Sequence, residues 1–244
     1  MSRRFLVFPD TPSVAEAAAD RLIAAGRNAI RRRGRFMLAL TGGSTPLAVC
    51  PLLVVPPRVR QLDWSRVEFF FGDERAVPPD HPDSNYRSQR VALIDHLPGL
   101  RAGQVHRMPA EAADLDAAAR AHEEELRTTF GLSGDQPPNF DLIWLGMGPD
   151  GHTASLFPGS TGLDEQDRWV VANWAPGPAA WRMTLTFPVL NAAREAMFVV
   201  LGADKAPALR AIRSGQSDLP AGRVTARRTL WIMDAAAAGE ALAA

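Results

Sequence analysis

Short, nearly continuous apolar runs recur along the chain at Phe36–Leu40, Val67–Phe71, Asp141–Leu145, Ala196–Leu201 and Thr229–Met233. Each is bounded by Gly, Asp or Arg, the pattern of a strand buried on both faces. Between them the apolar period lengthens to that of a helix over Val14–Arg33, Tyr86–His96, Ala110–Thr129 and Ala206–Ser214. The first helix has two possible starts, Thr11-Pro12 or a capping box from Ser13 to Glu16. Strand and helix in alternation predict a Rossmann-like α/β fold, an open, mainly parallel sheet with helices on both faces. Arg182–Phe187 departs from this pattern. It alternates polar and apolar residues and predicts an antiparallel edge portion. Leu132–Asn139 and Trp174–Ala180, rich in Gly and Pro, read as connections within one domain spanning 1–244, and Ala235–Ala244 as a frayed terminal helix.

In an open α/β sheet, ligands gather beyond the carboxyl ends of the strands, so the residues directly after each apolar run carry the chemical information. After Phe36–Leu40 come Thr41, Gly42, Gly43, Ser44 and Thr45, then Pro46 at an expected first helical position. Two glycines allow close backbone approach, Thr45 is expected as N-cap, and free N–H groups at the helix start favour an anion such as phosphate. A tight strand-to-helix turn would use the same residues. The loop lacks the lysine of a Walker A motif and the spacing of a dinucleotide fingerprint. After Val67–Phe71, Gly72-Asp73-Glu74-Arg75 places three charges where a buried strand surfaces. Asp73 is suited to sugar hydroxyls and Arg75 to a phosphate, and an Asp–Arg pair holding the loop is the alternative. Asp83-Ser84-Asn85 reads as an N-cap.

After Asp141–Leu145 the chain runs Gly146-Met147-Gly148-Pro149-Asp150-Gly151-His152. His152 is the histidine that directly follows a strand and turn, and an imidazole can take a proton from water and return it to a leaving oxygen. Asp150 is placed to orient the turn. The other reading of His152 is a capping or core residue. His81, His96, His106 and His122 read as structural or solvated.

Composition narrows the function classes. The 27 basic and 27 acidic residues cancel, so neither nucleic acid nor an anionic membrane is expected as a partner. No run reaches the roughly 18 apolar residues of a membrane span. One cysteine, Cys50, leaves no internal disulfide and no thiolate metal site. With an N-terminus that shows no leader pattern, it points to the cytoplasm. No metal-ligand spacing and no Gly-x-Ser-x-Gly elbow is present, so neither a metal nor a serine nucleophile is expected. The basic residues are 26 arginines and the single Lys205. An isolated lysine among arginines is either chance or a position that needs a compact ammonium.

Leu40–Pro46, Phe71–Arg75 with Asp83–Asn85, Gly146–Gly159, Arg182–Thr186, Gly202–Lys205 and Leu219–Val224 stand in order over most of the chain. Together they resemble the 6-phosphogluconolactonase family. The resemblance implies hydrolysis of 6-phospho-D-glucono-1,5-lactone to 6-phosphogluconate, the second step of the oxidative pentose phosphate pathway, without metal or cofactor. It makes His152 the base and sets Thr41–Thr45, Arg182 and Lys205 around the phosphate, with Arg75 as a further candidate. Backbone N–H groups near Gly43 or Gly151 are the candidate oxyanion donors. A small-molecule sugar-phosphate lactone is the expected partner, and a monomer is compatible with it. The chain departs from the family at Pro178-Ala179-Ala180-Trp181 and at Gly222.

Glucosamine-6-phosphate deaminase is similar in fold and shares the anion loop and the Asp-Gly-His turn. By resemblance, it carries Asp-Glu-Tyr where this chain has Asp73-Glu74-Arg75, and a carboxylate where this chain has Phe157. A third reading is a sugar-phosphate sensor that binds without turnover. Such a regulator would normally add a helix-turn-helix or a basic face, and neither is visible.

Overall fold

The computed structural model describes residues 2–176, 180–215 and 218–239. Its strands are β1 (Ser2–Phe8), β2 (Phe36–Leu40), β3 (Val67–Phe71), β4 (Asp73–Arg75), β5 (Leu142–Leu145), β6 (Val170–Trp174), β7 (Trp181–Leu185), β8 (Ala196–Val200) and β9 (Arg228–Asp234). The α-helices are α1 (Thr11–Arg33), α2 (Thr45–Leu53), α3 (Asn85–Ala92), α4 (Leu115–Phe130), α5 (Phe187–Ala192), α6 (Ala206–Ser214) and α7 (Ala235–Ala238).

Six strands pair in parallel in the order β1-β9-β8-β5-β2-β3. Successive side chains of a strand leave opposite faces, and in β2, β5 and β8 every residue is buried, whereas the edge strand β1 is largely exposed. Phe36, Leu38, Leu40, Phe69 and Trp144 pack on the side of α1 and α2, whereas Met37, Ala39, Phe70, Ile143 and Leu145 pack on the side of α4, α5 and α6. Burying a side chain of the Leu or Phe class stabilises the fold by about 1.5–3 kcal/mol, so two layers of them account for the continuous apolar runs.

Helix ends follow local capping chemistry, and this shifts several expected boundaries. Asp10 caps α1, its Oδ1 accepting from the Ser13 N–H at 2.9 Å, in place of either expected start. Asp114 caps α4 by accepting from the Ala117 N–H at 2.9 Å, so that helix begins at Leu115 and not at Ala110. The helix expected over Tyr86–His96 is α3, which stops at Ala92 and is followed by a separate 3-10 turn at Ile94–His96. Ala235–Ala238 form a short helix under Asp234, and residues 240–244 of the expected terminal helix lie outside the described residues.

The alternating segment forms β7, the middle strand of a separate antiparallel sheet, β4-β7-β6. Gly72 joins the two sheets: its N–H donates to Leu40 O at 2.8 Å, and its carbonyl accepts from the Leu185 N–H at 2.9 Å. In the large sheet β2 lies between β3 and β5, so the chain leaves β2 on one side and later returns on the other. That reversal opens a crevice beyond the carboxyl ends of β2, β3 and β5. Among the described residues, no helix is long and apolar enough to cross a membrane.

Candidate active site

The crevice holds a cleft of about 230 Å³. Thr41, Gly42, Gly43, Ser44 and Thr45 line one side of it as the chain turns from β2 into α2. The N-cap position is Ser44, without a side-chain cap bond, and Thr45 is the first helical residue; the expected Thr45 cap is one position late. Pro46 lies in the first turn and has no N–H, and its fixed φ suits that place. Gly43 has φ +85°, a left-handed conformation that favours glycine. Gly42 is required for a different reason: a Cβ there would fall 1.7 Å from Asn85 Oδ1. Behind the loop, Cys50 Sγ donates to Gln89 Oε1 at 3.4 Å, and Gln89 Nε2 donates to Thr41 O at 2.6 Å. Burial pushes the Cys50 thiol up to about 12, so it acts as packing and a weak donor, not as a nucleophile.

Asp73 enters the cleft from the start of β4. Its Oδ2 accepts from Ser155 Oγ at 2.5 Å, and its Oδ1 and carbonyl oxygen accept from Asn85 Nδ2 at 3.2 and 2.9 Å. These contacts replace the alternative Asp–Arg pair. Arg75 instead donates from Nη1 to Asp83 O at 2.6 Å. Glu74 points away to the start of α3, where it accepts from the Asn85 and Tyr86 N–H groups at 2.7 and 2.8 Å and from Ser84 Oγ at 3.0 Å. Burial raises its pKa against the opposing effect of these donors.

Arg75 and Arg182 are direct cross-strand partners in the β4–β7 ladder, so both side chains leave the same face. Arg182 stands beside the cleft and not among its lining residues. Burial, and then the charge of Arg75, lower the pKa of its guanidinium. Two like charges side by side favour an anion between or above them. The Lys205 ammonium reaches the cleft from the turn before α6 and pairs with Asp204.

His152 lines the same cleft from the carboxyl end of β5. Gly151, at φ +79°, donates to Gly148 O at 3.0 Å, and Gly148 donates to His152 O at 3.0 Å. This tight turn brings Asp150 Oδ1 within 2.6 Å of His152 Nδ1 and 3.1 Å of the His152 N–H. A carboxylate accepts, so Nδ1 carries the proton and Nε2 the lone pair. Gly148 leaves the space for the ring: a Cβ there would lie 2.1 Å from His152 Cε1. The Phe157 ring stacks on the imidazole at 4.1 Å with an interplanar angle of 27°. Asp150 stands behind the ring, outside the cleft lining.

Of the polar lining residues, Asn85 is the one that the sequence left outside the site, because Asp83-Ser84-Asn85 has the pattern of a helix cap. The cap is Ser84, and Asn85 turns inward to hold Asp73. Pro178 and Ala179, part of the expected departure before Arg182, lie outside the described residues. Among the described residues, no group of three or more His, Cys, Asp or Glu side chains is arranged to hold a metal ion. The cleft thus brings the Thr41–Thr45 loop and nearby cations together with His152, whose Nε2 has no hydrogen-bond partner among the described residues.

Residues 9–231 match the family model of glucosamine-6-phosphate isomerases/6-phosphogluconolactonase. The chain belongs to this family. Within the glucosamine-6-phosphate isomerase/6-phosphogluconolactonase family, it is 40% identical over 248 residues to a 6-phosphogluconolactonase of Mycobacterium tuberculosis, covering 98% of this chain and 99% of that relative. The solved structure of 6-phosphogluconolactonase from Trypanosoma cruzi superposes with a TM-score of 0.86 at 28% identity, covering 100% of this chain and 99% of that one. A monomeric glucosamine-6-phosphate deaminase shares the fold with a TM-score of 0.78 at 19% identity, covering 98% of this chain and 99% of that one.

Proposed function

We propose that the protein hydrolyses 6-phospho-D-glucono-1,5-lactone to 6-phosphogluconate, with His152 as general base. The observation that carries this reading is the His152 ring, tied at Nδ1 to Asp150 and stacked on Phe157, with its basic nitrogen left to serve the cleft. The phosphate of the lactone docks on the Thr41–Thr45 loop, Lys205 and the Arg75–Arg182 pair, which sets the distant carbonyl near the imidazole. Asp73 accepts from a sugar hydroxyl. His152 Nε2 removes a proton from water as the water oxygen attacks the carbonyl carbon. The tetrahedral intermediate then collapses, the ring C–O bond breaks, and the imidazolium returns its proton to the departing oxygen. The Gly151 N–H is already bonded to Gly148 O, which weakens it as a candidate oxyanion donor.

Phe157 weighs against deamination, since stacking contributes no acid or base beside the histidine. A neutral chain with one cysteine suits the cytoplasm, and a monomer is compatible with this reading. The test supplies freshly made 6-phosphogluconolactone and, separately, glucosamine 6-phosphate. Acid release from the first above the uncatalysed rate, with no ammonia from the second, is expected. Ammonia release, or saturable binding of both without turnover, would contradict the proposal.

A further inference from the structure

At the opposite end of the large sheet, a second and larger cleft opens between α1 and the segments that lead into β5, β8 and β9. Its volume is about 460 Å³, twice that of the candidate active site. Because the strands are parallel, a full strand length, roughly 15 Å, separates it from the carboxyl-end crevice. Six arginines line it: Arg21, Arg32 and Arg33 from α1, Arg194 before β8, and Arg227 and Arg228 at the start of β9.

Two buried carboxylates pair with these arginines, Asp141 in the cleft lining and Glu195 behind it. Glu195, with 2% of its side chain exposed, binds Arg21 and lies 3.1 Å from Arg228 Nη2. Asp141, with 4% exposed, lies 2.7 Å from Arg33 Nη2 and 3.4 Å from Arg194 Nε. Each carboxylate pairs with two guanidiniums of residues that line the cleft. Arg32 and Arg227 have no ion-pair partner among the described residues; Arg32 donates from Nε to Asn28 Oδ1 at 3.0 Å. Six positive charges therefore face two negative ones, in a chain whose formal net charge is zero. Confining four excess like charges in a concave site is unfavourable unless an anion joins them.

We propose that this arginine cleft is a second ligand site, taking a small molecule that carries two or more adjacent phosphoryl groups. Guanidinium forks match phosphate oxygens in bidentate fashion, and the excess of four charges exceeds what one phosphate neutralises. The cleft is also larger than the one fitted to a sugar monophosphate. A bounded concavity, in contrast to an extended basic stripe, selects a compact ligand over a nucleic-acid backbone.

The test titrates sodium tripolyphosphate into the full chain by calorimetry at low salt. Inorganic phosphate and potassium chloride of matched ionic strength serve as comparisons. Saturable binding of tripolyphosphate, at least about tenfold tighter than phosphate, is expected. The double variant Arg32→Gln/Arg227→Gln, which breaks no buried ion pair, weakens it about tenfold or more while the melting temperature and lactone hydrolysis stay unchanged. Arg227→Gln alone gives an intermediate loss, and Lys205→Ala leaves tripolyphosphate binding intact. Absence of saturable binding, equal affinity for phosphate, or wild-type binding by the double variant would overturn the proposal. Loss of binding in Lys205→Ala would do so as well, because the probe would then occupy the candidate active site.

Discussion

At the scale of single residues, His152 owes its orientation to two neighbours in its own turn. Asp150 was visible in the sequence two positions away, but its bond to Nδ1 depends on the left-handed backbone at Gly151, which composition does not reveal. Removing the carboxylate frees the ring without touching the phosphate contacts. Asp150→Ala is therefore expected to lower kcat about tenfold or more while KM changes little, as read from steady-state lactone hydrolysis. Gly148 makes a sharper case. A methyl group 2.1 Å from His152 Cε1 must displace the ring, and a displacement near 1 Å costs on the order of 100-fold in rate. Gly148→Ala is expected to show that loss with a melting temperature close to wild type, since the ring is partly exposed. An unchanged kcat would mean that the seat of the imidazole does not matter. Lys205→Ala acts on another parameter: weaker phosphate contact raises KM for the phosphorylated lactone more than it lowers kcat.

At the scale of elements, the buried parallel strands were legible because both faces are covered, which turns them into unbroken apolar runs. The shorter pieces were not. β6 (Val-Val-Ala-Asn-Trp) carries Asn173, whose amide is spent on Ser155 O at 2.7 Å and on the Gly162 N–H at 3.0 Å, so its polar residue obscures the strand pattern. Asn85 was hidden in the same way, beside a true cap. Ser84 ties these levels together: its Oγ accepts from the Arg87 N–H at 3.1 Å and donates to Glu74 at 3.0 Å, while being almost fully buried. Ser84→Ala leaves the Arg87 N–H without its cap acceptor and takes one of the donors from Glu74, with an expected loss of about 1–3 kcal/mol in urea denaturation. Because α3 carries Asn85 against Asp73, the same variant should also raise KM for the lactone.

At the scale of the whole molecule, the neutral net charge conceals strong local asymmetry. The anion loop with its cations stands at one end of the sheet and the arginine cleft at the other. The second was illegible because its residues come from four separated segments that only the fold assembles. A third cluster contributes to the response to pH. His106 Nδ1 lies 2.7 Å from Glu125, His106 Nε2 lies 3.2 Å from Glu68, and His122 Nδ1 lies 3.1 Å from Glu125, with Phe70 stacked on the His106 ring. Burial pulls the His106 pKa down, but the bonds to Glu125 and Glu68 outweigh it and leave the pKa above 6.5. The bonds from His106 and then His122 hold Glu125 down to about 2 from an ordinary 4.5.

The two signs are opposite. The raised histidine stabilises the fold fully below 6.5, and that contribution fades as pH climbs through its folded value; the depressed carboxylate stabilises above 4.5 and fades as pH falls toward 2. Urea midpoints from this cluster should peak between about 4.5 and 6.5, and His106→Gln should flatten the decline above that window. A decline equally steep in the variant would assign it to other groups.

The proposed chemistry at the carboxyl end of β5 rests on one nitrogen. The most direct measurement is kcat for 6-phosphogluconolactone in His152→Gln against wild type, with 6-phosphogluconate affinity measured on both as a control for folding and phosphate binding. The expected result is a fall in kcat of about 10²–10⁴ with product affinity nearly unchanged; a wild-type kcat in a variant that still binds 6-phosphogluconate would contradict His152 as the base.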